Sequence, residues 1–357
     1  MEFVKQHLED LTAFAKMSQE VGARNDYVQG GGGNTSVKTD GFLAIKASGF
    51  KLSDIETNKA YAVMSSGKLK DFYMNTDLSS LGDAEKEGSA FTKTCILEIE
   101  GIDKLRPSVE AGFHSILDKF VIHSHSVYAN LAACSTDATS VIAAALEGAK
   151  YTWGYVPYFD PGVRITFAIR DEIARVTKET GRRPAVIFMQ NHGLIVHHAD
   201  DQECIKIHED VNERIAAAFG LTSTSFPEIA LKEEEGLLVS DTPYVEERLK
   251  GVESDEIFVF DALYPDQLVF LKDTFFIANN VPEEDKCHCI SETGKIVFNM
   301  AKGKAQVILE TIAAILFIRE NIVKSGRQVE TMGAAAKNFI ENWESEKYRK
   351  SLSGGKK

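Results

Sequence analysis

Apolar positions recur at helical spacing over residues 3–20. Phe3, His7, Leu8, Leu11, Phe14, Ala15 and Met17 fall mostly on one face, and Gly22 can end the helix. The turn-rich tract QGGGGNTS (29–36) follows, then a strand from Phe42 to Ser48 bounded by Gly41 and Gly49. Pro107 opens a second helix with Val109, Phe113, Ile116, Leu117 and Phe120 as its apolar face. VIHSHS (121–126) reads as a strand, Ser140 to Ala149 as an Ala-rich helix, and Arg164 to Ile169 as a strand. Asp171 to Glu179 reads as a helix stopped by Gly181. AVIFM (185–189) and LIVH (194–197) are strands joined by Gln-Asn-His-Gly, a hairpin signal that predicts an antiparallel component. Gln202 to Phe219 is a helix capped by Gly220.

Beyond residue 220 the pattern changes, which divides the chain into 1–220 and 221–357. Residues 221–257 are polar, and the run Glu233-Glu234-Glu235 reads as a solvated face or linker. Strands are predicted at 256–260, 267–271 and 295–299, and a long apolar helix at 305–322. The tail SLSGGKK reads as frayed.

Composition narrows the function classes. Hydrophobic residues make up 44% and charged residues 26% of the 357, enough apolar surface for a core. A net charge of −13 argues against nucleic acid as the main partner. It also requires that an anionic substrate meet locally gathered positive charge. The N-terminus has no apolar signal region, and the longest apolar run, 311–318, is far short of the roughly 20 residues that span a bilayer. Five irregularly spaced Cys fit a reducing cytoplasm rather than a disulfide framework. Cys287-His288-Cys289 lacks the second pair a zinc knuckle needs and reads as a polar loop with two thiols.

Candidate chemistry starts at His123-Ser124-His125. On a strand, residues i and i+2 share a side, so both imidazoles can face one point. His192, in the hairpin turn, becomes a third ligand if the hairpin lies beside that strand. Glu110 precedes His123 by thirteen residues, near a helix N-terminus; it can be a general base or a fourth ligand. Three neutral His, one Glu and a divalent ion sum to about +1, which suits stabilisation of an enediolate. The four glycines 30–33 match neither a Walker loop nor a dinucleotide fingerprint, because a strand follows and no Lys-Ser or Lys-Thr does. A backbone without Cβ atoms can still wrap an anion, and Asn34, Thr35, Ser48 and Ser108 add side-chain donors.

These pieces together resemble the class II aldolase/adducin family. The matching stretches are GGGGNTSVK (30–38), IKASG (45–49), RPSVE (106–110), HSHS (123–126) and NHGLIV (191–196), in the family's order across residues 5–220. Their wording looks most like the aldolase part of bifunctional rhamnulose-1-phosphate aldolase/dehydrogenase proteins, and 264–271 resembles the extension that follows the core there. The resemblance implies an α/β/α fold around a mostly antiparallel central sheet, with an α+β extension after it. It implies a divalent metal, Zn²⁺ first with Mn²⁺ or Co²⁺ as alternatives, held by His123, His125 and His192. Glu110 takes the role of base and metal neighbour, and Asn34, Thr35, Ser48, Gly49 and Ser108 that of the phosphate site. A Tyr serves as proton donor in the family; among Tyr151, Tyr155 and Tyr158, Tyr158 is the candidate.

The implied reaction is cleavage of a ketose 1-phosphate to dihydroxyacetone phosphate and a short aldehyde such as lactaldehyde. The implied assembly is a homo-oligomer, a tetramer by preference. Two departures from the family pattern stand out. No dehydrogenase half follows, so NAD is not expected. Val109 replaces a second Ser common before the Glu. Epimerases, dehydratases and decarboxylases of the family are the first alternative, and Glu110 leans away from the epimerases, which carry Asp there. A non-enzymatic adducin-like scaffold is the second, disfavoured by the presence of all three His.

Overall fold

The computed structural model describes residues 2–342. Helices α1 (Glu2–Gln6) and α2 (Leu8–Gly22) are the predicted amphipathic stretch, interrupted at His7. Strands β1 (Asn34–Thr39), β2 (Phe42–Lys46) and β3 (Tyr61–Ser65) form a meander. Helices α3 (Ser66–Asn75), α4 (Ala84–Thr94) and α5 (Ala111–Ile116) lead to β4 (Phe120–Ser124). Then come α6 (Val127–Ala133), α7 (Ala138–Ala145), β5 (Trp153–Val156) and α8 (Val163–Thr180). The hairpin β6 (Val186–Met189) and β7 (Gly193–His198) and helix α9 (Asp201–Ala218) follow.

Seven strands make one sheet in the order β3-β2-β1-β4-β7-β6-β5. Every neighbouring pair is antiparallel except β5 with β6. Strand side chains alternate between two apolar layers. Leu43, Ile45, Val121, Ile187 and Ile195 pack with Leu69 of α3, Phe113 of α5 and Phe167 of α8. Val37, Ala44, Ile122, Val186 and Val196 pack on the other face with Phe14 of α2 and Val211 of α9. This is the expected three-layer α/β/α arrangement with a mostly antiparallel sheet.

The remainder is α+β. It runs β8 (Leu231–Glu234), β9 (Leu237–Ser240), α10 (Pro243–Leu249), α11 (Glu256–Val259) and α12 (Pro265–Leu271). It continues through β10 (Phe275–Ile277), β11 (Cys287–Cys289), β12 (Ile296–Phe298), α13 (Lys302–Lys324) and α14 (Ala334–Asn342). A second sheet has the order β10-β11-β12-β9-β8. Ile312, Ile315 and Phe317 of α13 share one apolar cluster with Tyr128 and Leu131 of α6, so this region is packed onto the first. The Phe317 and Tyr128 rings meet edge to face, 5.9 Å between centroids.

Several local expectations are corrected. Residues 164–169 are helical, the start of α8. Ile165, Thr166, Phe167 and Ile169 are all buried there, so the start of the helix is covered on most sides and its apolar positions carry no helical spacing. A three-to-four spacing shows only further along, at Ile169, Ile173 and Val176. Gly181 ends that helix in the left-handed conformation at φ 70°. Residues 256–260 and 267–271 also form helices, α11 and α12, where short apolar runs suit either state. The helix after Pro107 is shorter than its apolar pattern: it starts at Ala111 and ends at Ile116, so Leu117 and Phe120 lie beyond it. Within 221–257 lies the hairpin β8–β9, turning at Glu235 (φ 52°) and Gly236 (φ 82°) with Glu233 to Glu235 exposed. Cys287-His288-Cys289 is a buried strand, not a polar loop. The tail 351–357 lies outside the described residues. Among the described residues no helix is long and apolar enough to cross a membrane.

Candidate active site

The site forms where β4, β1 and the β6–β7 hairpin meet. β4 lies in mid-sheet, with His123 opposite Asn34 of β1 and Ile195 of β7. Strand parity puts Val121 and His123 on the α5 side and Ile122 and Ser124 on the other. His125 stands just past the strand, before Ser126, whose hydroxyl caps α6 by accepting the Tyr128 and Ala129 N–H groups. His192 sits in the hairpin turn, reached through Asn191 in the left-handed region at φ 49°. Gly193 lets the hairpin close on β4, since a Cβ there would fall 2.3 Å from the Ser124 carbonyl oxygen.

The three imidazoles converge. Their ring centroids are 4.9, 5.0 and 5.3 Å apart, and one nitrogen from each lies within 4.8 Å of the others. All three side chains are buried. His123 Nδ1 is 3.1 Å from the Leu194 carbonyl oxygen, and His125 Nδ1 is 2.6 Å from Asp266 Oδ2. Both Nδ1 atoms face acceptors and so carry the protons, which leaves each Nε2 with a lone pair. Those two Nε2 atoms are 3.2 Å apart. Two such lone pairs repel unless a cation stands between them. Nitrogens bound tetrahedrally to one zinc ion would be about 3.3 Å apart, from bond lengths of about 2.0–2.1 Å. The donor set therefore fits a divalent metal. Burial pushes His123 down to about 3, which keeps its imidazole neutral as a ligand must be.

Glu110 is the residue before α5, buried under the cluster. Its Oε2 accepts from Asn34 Nδ2 at 2.6 Å and lies 3.4 Å from His123 Nε2. Its Oε1 lies 3.2 Å from His192 Nε2 yet has no hydrogen-bond partner, and His192 Nδ1 has none either. Unpaired buried polar atoms of this kind point to a missing ligand. Burial alone would raise the Glu110 carboxyl, but His123, His192 and the Asn34 amide outweigh it and hold it well below the usual range. Behind Asn34 the network continues: its Oδ1 meets His114 Nε2, and His114 Nδ1 is 2.7 Å from the Ser36 hydroxyl. Burial holds His114 well below the ordinary imidazole range, so it is neutral and orients Asn34.

A cavity opens beside the cluster. Asn34, Lys46, Ser48, Gly49, Ser108 and Glu110 line it, with Gly31, Gly33, His125, His192, Val109, Pro161 and Pro265. The structure thus brings together all the sequence-derived candidates except two. Thr35 points to the opposite face of β1, where its hydroxyl is 2.7 Å from that of Ser18 on α2. Strand alternation forbids adjacent Asn34 and Thr35 from serving one pocket. Tyr158 is half-buried, with its hydroxyl donating to Asp160 at 3.2 Å, and does not line the cavity. Three residues at the site escape the sequence reading. Lys46 lines the cavity, its Nζ donating to the Phe50 and Gly31 carbonyls at 2.8 and 3.3 Å. Its position two before Ser48 on a strand was the available signal. His114 was signalled by standing four after Glu110, the spacing that shares a helix face. Asp266 had no local signal, being 141 residues from His125.

The Class II Aldolase and Adducin N-terminal domain profile matches residues 12–219, more than half of the chain, so the chain belongs to that family. No curated protein matches it. Among solved structures it is similar to the N-terminal class II aldolase domain of a conserved Thermoplasma acidophilum protein, at 22% identity and TM-score 0.48, covering 58% of this chain and 92% of that one. It is also similar to YgbL of Klebsiella pneumoniae, described as a putative aldolase/epimerase/decarboxylase, at 18% identity and TM-score 0.41, covering 60% and 90%. A third similar structure is the L-fuculose-1-phosphate aldolase of Thermus thermophilus, at 15% identity and TM-score 0.35, covering 57% and 90%.

Proposed function

We propose that the protein is a metal-dependent aldehyde-lyase that cleaves a ketose 1-phosphate to dihydroxyacetone phosphate and a short aldehyde. The observation that carries this is the meeting of two imidazoles, His123 and His125, each with a free Nε2 lone pair, and a carboxylate whose Oε1 is unpartnered. A divalent metal, zinc first, held by His123, His125 and His192 would supply Lewis-acid polarisation of the substrate carbonyl.

The chain's own residues do the rest. The phosphate would sit against Ser48, Ser108 and the open backbone of Gly31, Gly33 and Gly49, with Lys46 as the local cation. This supplies the positive charge that a chain of net charge −13 must gather. Asn34 holds Glu110 Oε2, and Oε1, which has no hydrogen bond, is the oxygen that would exchange a proton with the substrate. In cleavage a solvent base takes the C4 hydroxyl proton, and the C3–C4 bond breaks to leave the aldehyde at C4 and its electron pair at C3. Glu110, having taken up a proton from solvent, delivers it to C3. In condensation Glu110 removes that proton. Pro161, Pro265 and the half-buried Val109 form the apolar part of the lining and would limit the access of bulk water to the carbanionic carbon.

Metal analysis of the purified protein, with a screen of ketose 1-phosphates for dihydroxyacetone phosphate release with and without chelator, tests this. A stoichiometric divalent ion and chelator-sensitive release are expected. Bound metal with no release from any ketose 1-phosphate would defeat the lyase reading and favour an epimerase or decarboxylase. A metal-free native fold would favour the scaffold.

A further inference from the structure

We propose that Asp266, supplied by α12 of the C-terminal region, is the positioning residue of the metal centre, aiming His125 and strengthening it as a ligand. The inference rests on the metal-centre reading above and extends it to a part of the chain that lies outside the matched family segment, 12–219.

The geometry is specific. Asp266 Oδ2 accepts a hydrogen bond from the His125 Nδ1–H at 2.6 Å, with the two side chains 0% and 3% exposed. A buried carboxylate is costly unless paired, so its placement against one imidazole nitrogen is a strong structural commitment. Asp266 is the second residue of α12, behind Pro265, whose fixed φ suits the first helical position. The glycine tract closes over the pair. A Cβ on Gly32 would lie 2.5 Å from Asp266 Oδ2 and 2.9 Å from His125 Nδ1, so only glycine admits this contact. Other ties hold the same region in register. Asn191 Nδ2 donates to the Leu263 and Glu330 carbonyls at 2.8 and 2.9 Å, and the Gly30 N–H donates to Glu310 Oε2 of α13 at 2.9 Å. The ligands differ in their support: His123 leans on a neutral backbone carbonyl, His125 on a carboxylate. A carboxylate on the far nitrogen fixes the tautomer and raises the basicity of Nε2, and loss of such a partner typically costs about 10–100-fold in metal affinity.

The test is Zn²⁺ affinity by competition with a chelating indicator, for the full chain and for Asp266→Asn, Asp266→Ala and Glu320→Gln. Glu320 accepts a bidentate pair from Arg248 within the same region and touches none of the site, so it reports general loosening there. The expected dissociation constants rise about 10-fold for Asp266→Asn and up to about 100-fold for Asp266→Ala, with Glu320→Gln within about twofold. Asp266→Ala binding zinc within about twofold of the parent would overturn the proposal. A parent chain that takes up no zinc would overturn the metal-centre reading itself, a different result. Should the Asp266 variants fail to fold, ¹⁵N-histidine NMR of the zinc-loaded parent decides. His125 must show Nδ1 protonated and Nε2 shifted by metal; the reverse assignment overturns the proposal.

Discussion

Two carboxylates flank the histidine cluster, one from each region of the chain, and they are used differently. Glu110 belongs to the motif-bearing first region, lines the cavity, and keeps Oε1, 3.2 Å from His192 Nε2, without a hydrogen bond. Asp266 comes from the C-terminal region and commits Oδ2 to the back of His125. The contrast teaches how a site can separate chemistry from support. A group meant to exchange protons keeps an open oxygen, whereas a group meant to hold a ligand directs its charge at that ligand.

The comparison breaks most visibly at Glu110. Glu110→Gln should lower kcat for dihydroxyacetone phosphate release by about 100- to 10,000-fold and stop solvent exchange of the C3 proton, while metal content by elemental analysis stays near the parent's. Metal loss on the same scale as in Asp266→Asn would make the two carboxylates equivalent and defeat the distinction. Next comes Lys46, the cation of the cavity. Lys46→Met should raise KM for a phosphorylated substrate by about 10- to 100-fold, the worth of a charged hydrogen bond, with zinc affinity unchanged in the same competition assay.

A third test concerns pH and stability. His208 is buried behind β4, its Nε2 2.7 Å from the Ser124 hydroxyl, and burial lowers its pKa to about 3. A folded-state value below the unfolded value of about 6.5 means that the unfolded chain binds the proton first. Stability is therefore fully present above about pH 6.5 and falls as pH drops toward about 3. Urea titrations at about pH 7 and pH 5 should show a loss on the order of 1–2 kcal/mol from this group. His208→Gln should flatten the slope without abolishing it, because His114 and His123 shift in the same direction. The smallest effect is expected at Thr35. Thr35→Val should cost about 1 kcal/mol of stability through the lost Ser18 contact and leave KM within about twofold. A tenfold rise in KM would return Thr35 to the phosphate site.

Much of the site was legible because its geometry is local. His123 and His125 needed only their spacing, and His192 only a hairpin lying beside that strand. Ser48, Gly49, Ser108 and Glu110 sit on short connections whose turn chemistry is written in the residues themselves. Thr35 was misplaced because the NTS tract reads as a loop, in which neighbours can share a pocket, and it is a strand, in which they cannot. The three-layer fold followed from family wording more than from periodicity. RITFAI and the short runs at 256–260 and 267–271 took their helical state from tertiary packing that no window of a few residues contains. Asp266 could not be read at all, since its meaning depends on α12 folding back over the glycine tract.

β4 has neighbours along both edges, β1 on one side and β7 on the other. A strand so placed cannot peel away by itself; solvent reaches its amides only when the sheet as a whole comes apart. The N–H groups of Val121, Ile122 and His123 should thus be among the slowest in the molecule to trade hydrogen for deuterium, at the pace of global unfolding. The histidine-bearing strand is the fixed anvil of the site, and whatever breathing admits a substrate must come from the loops and helix that close on it.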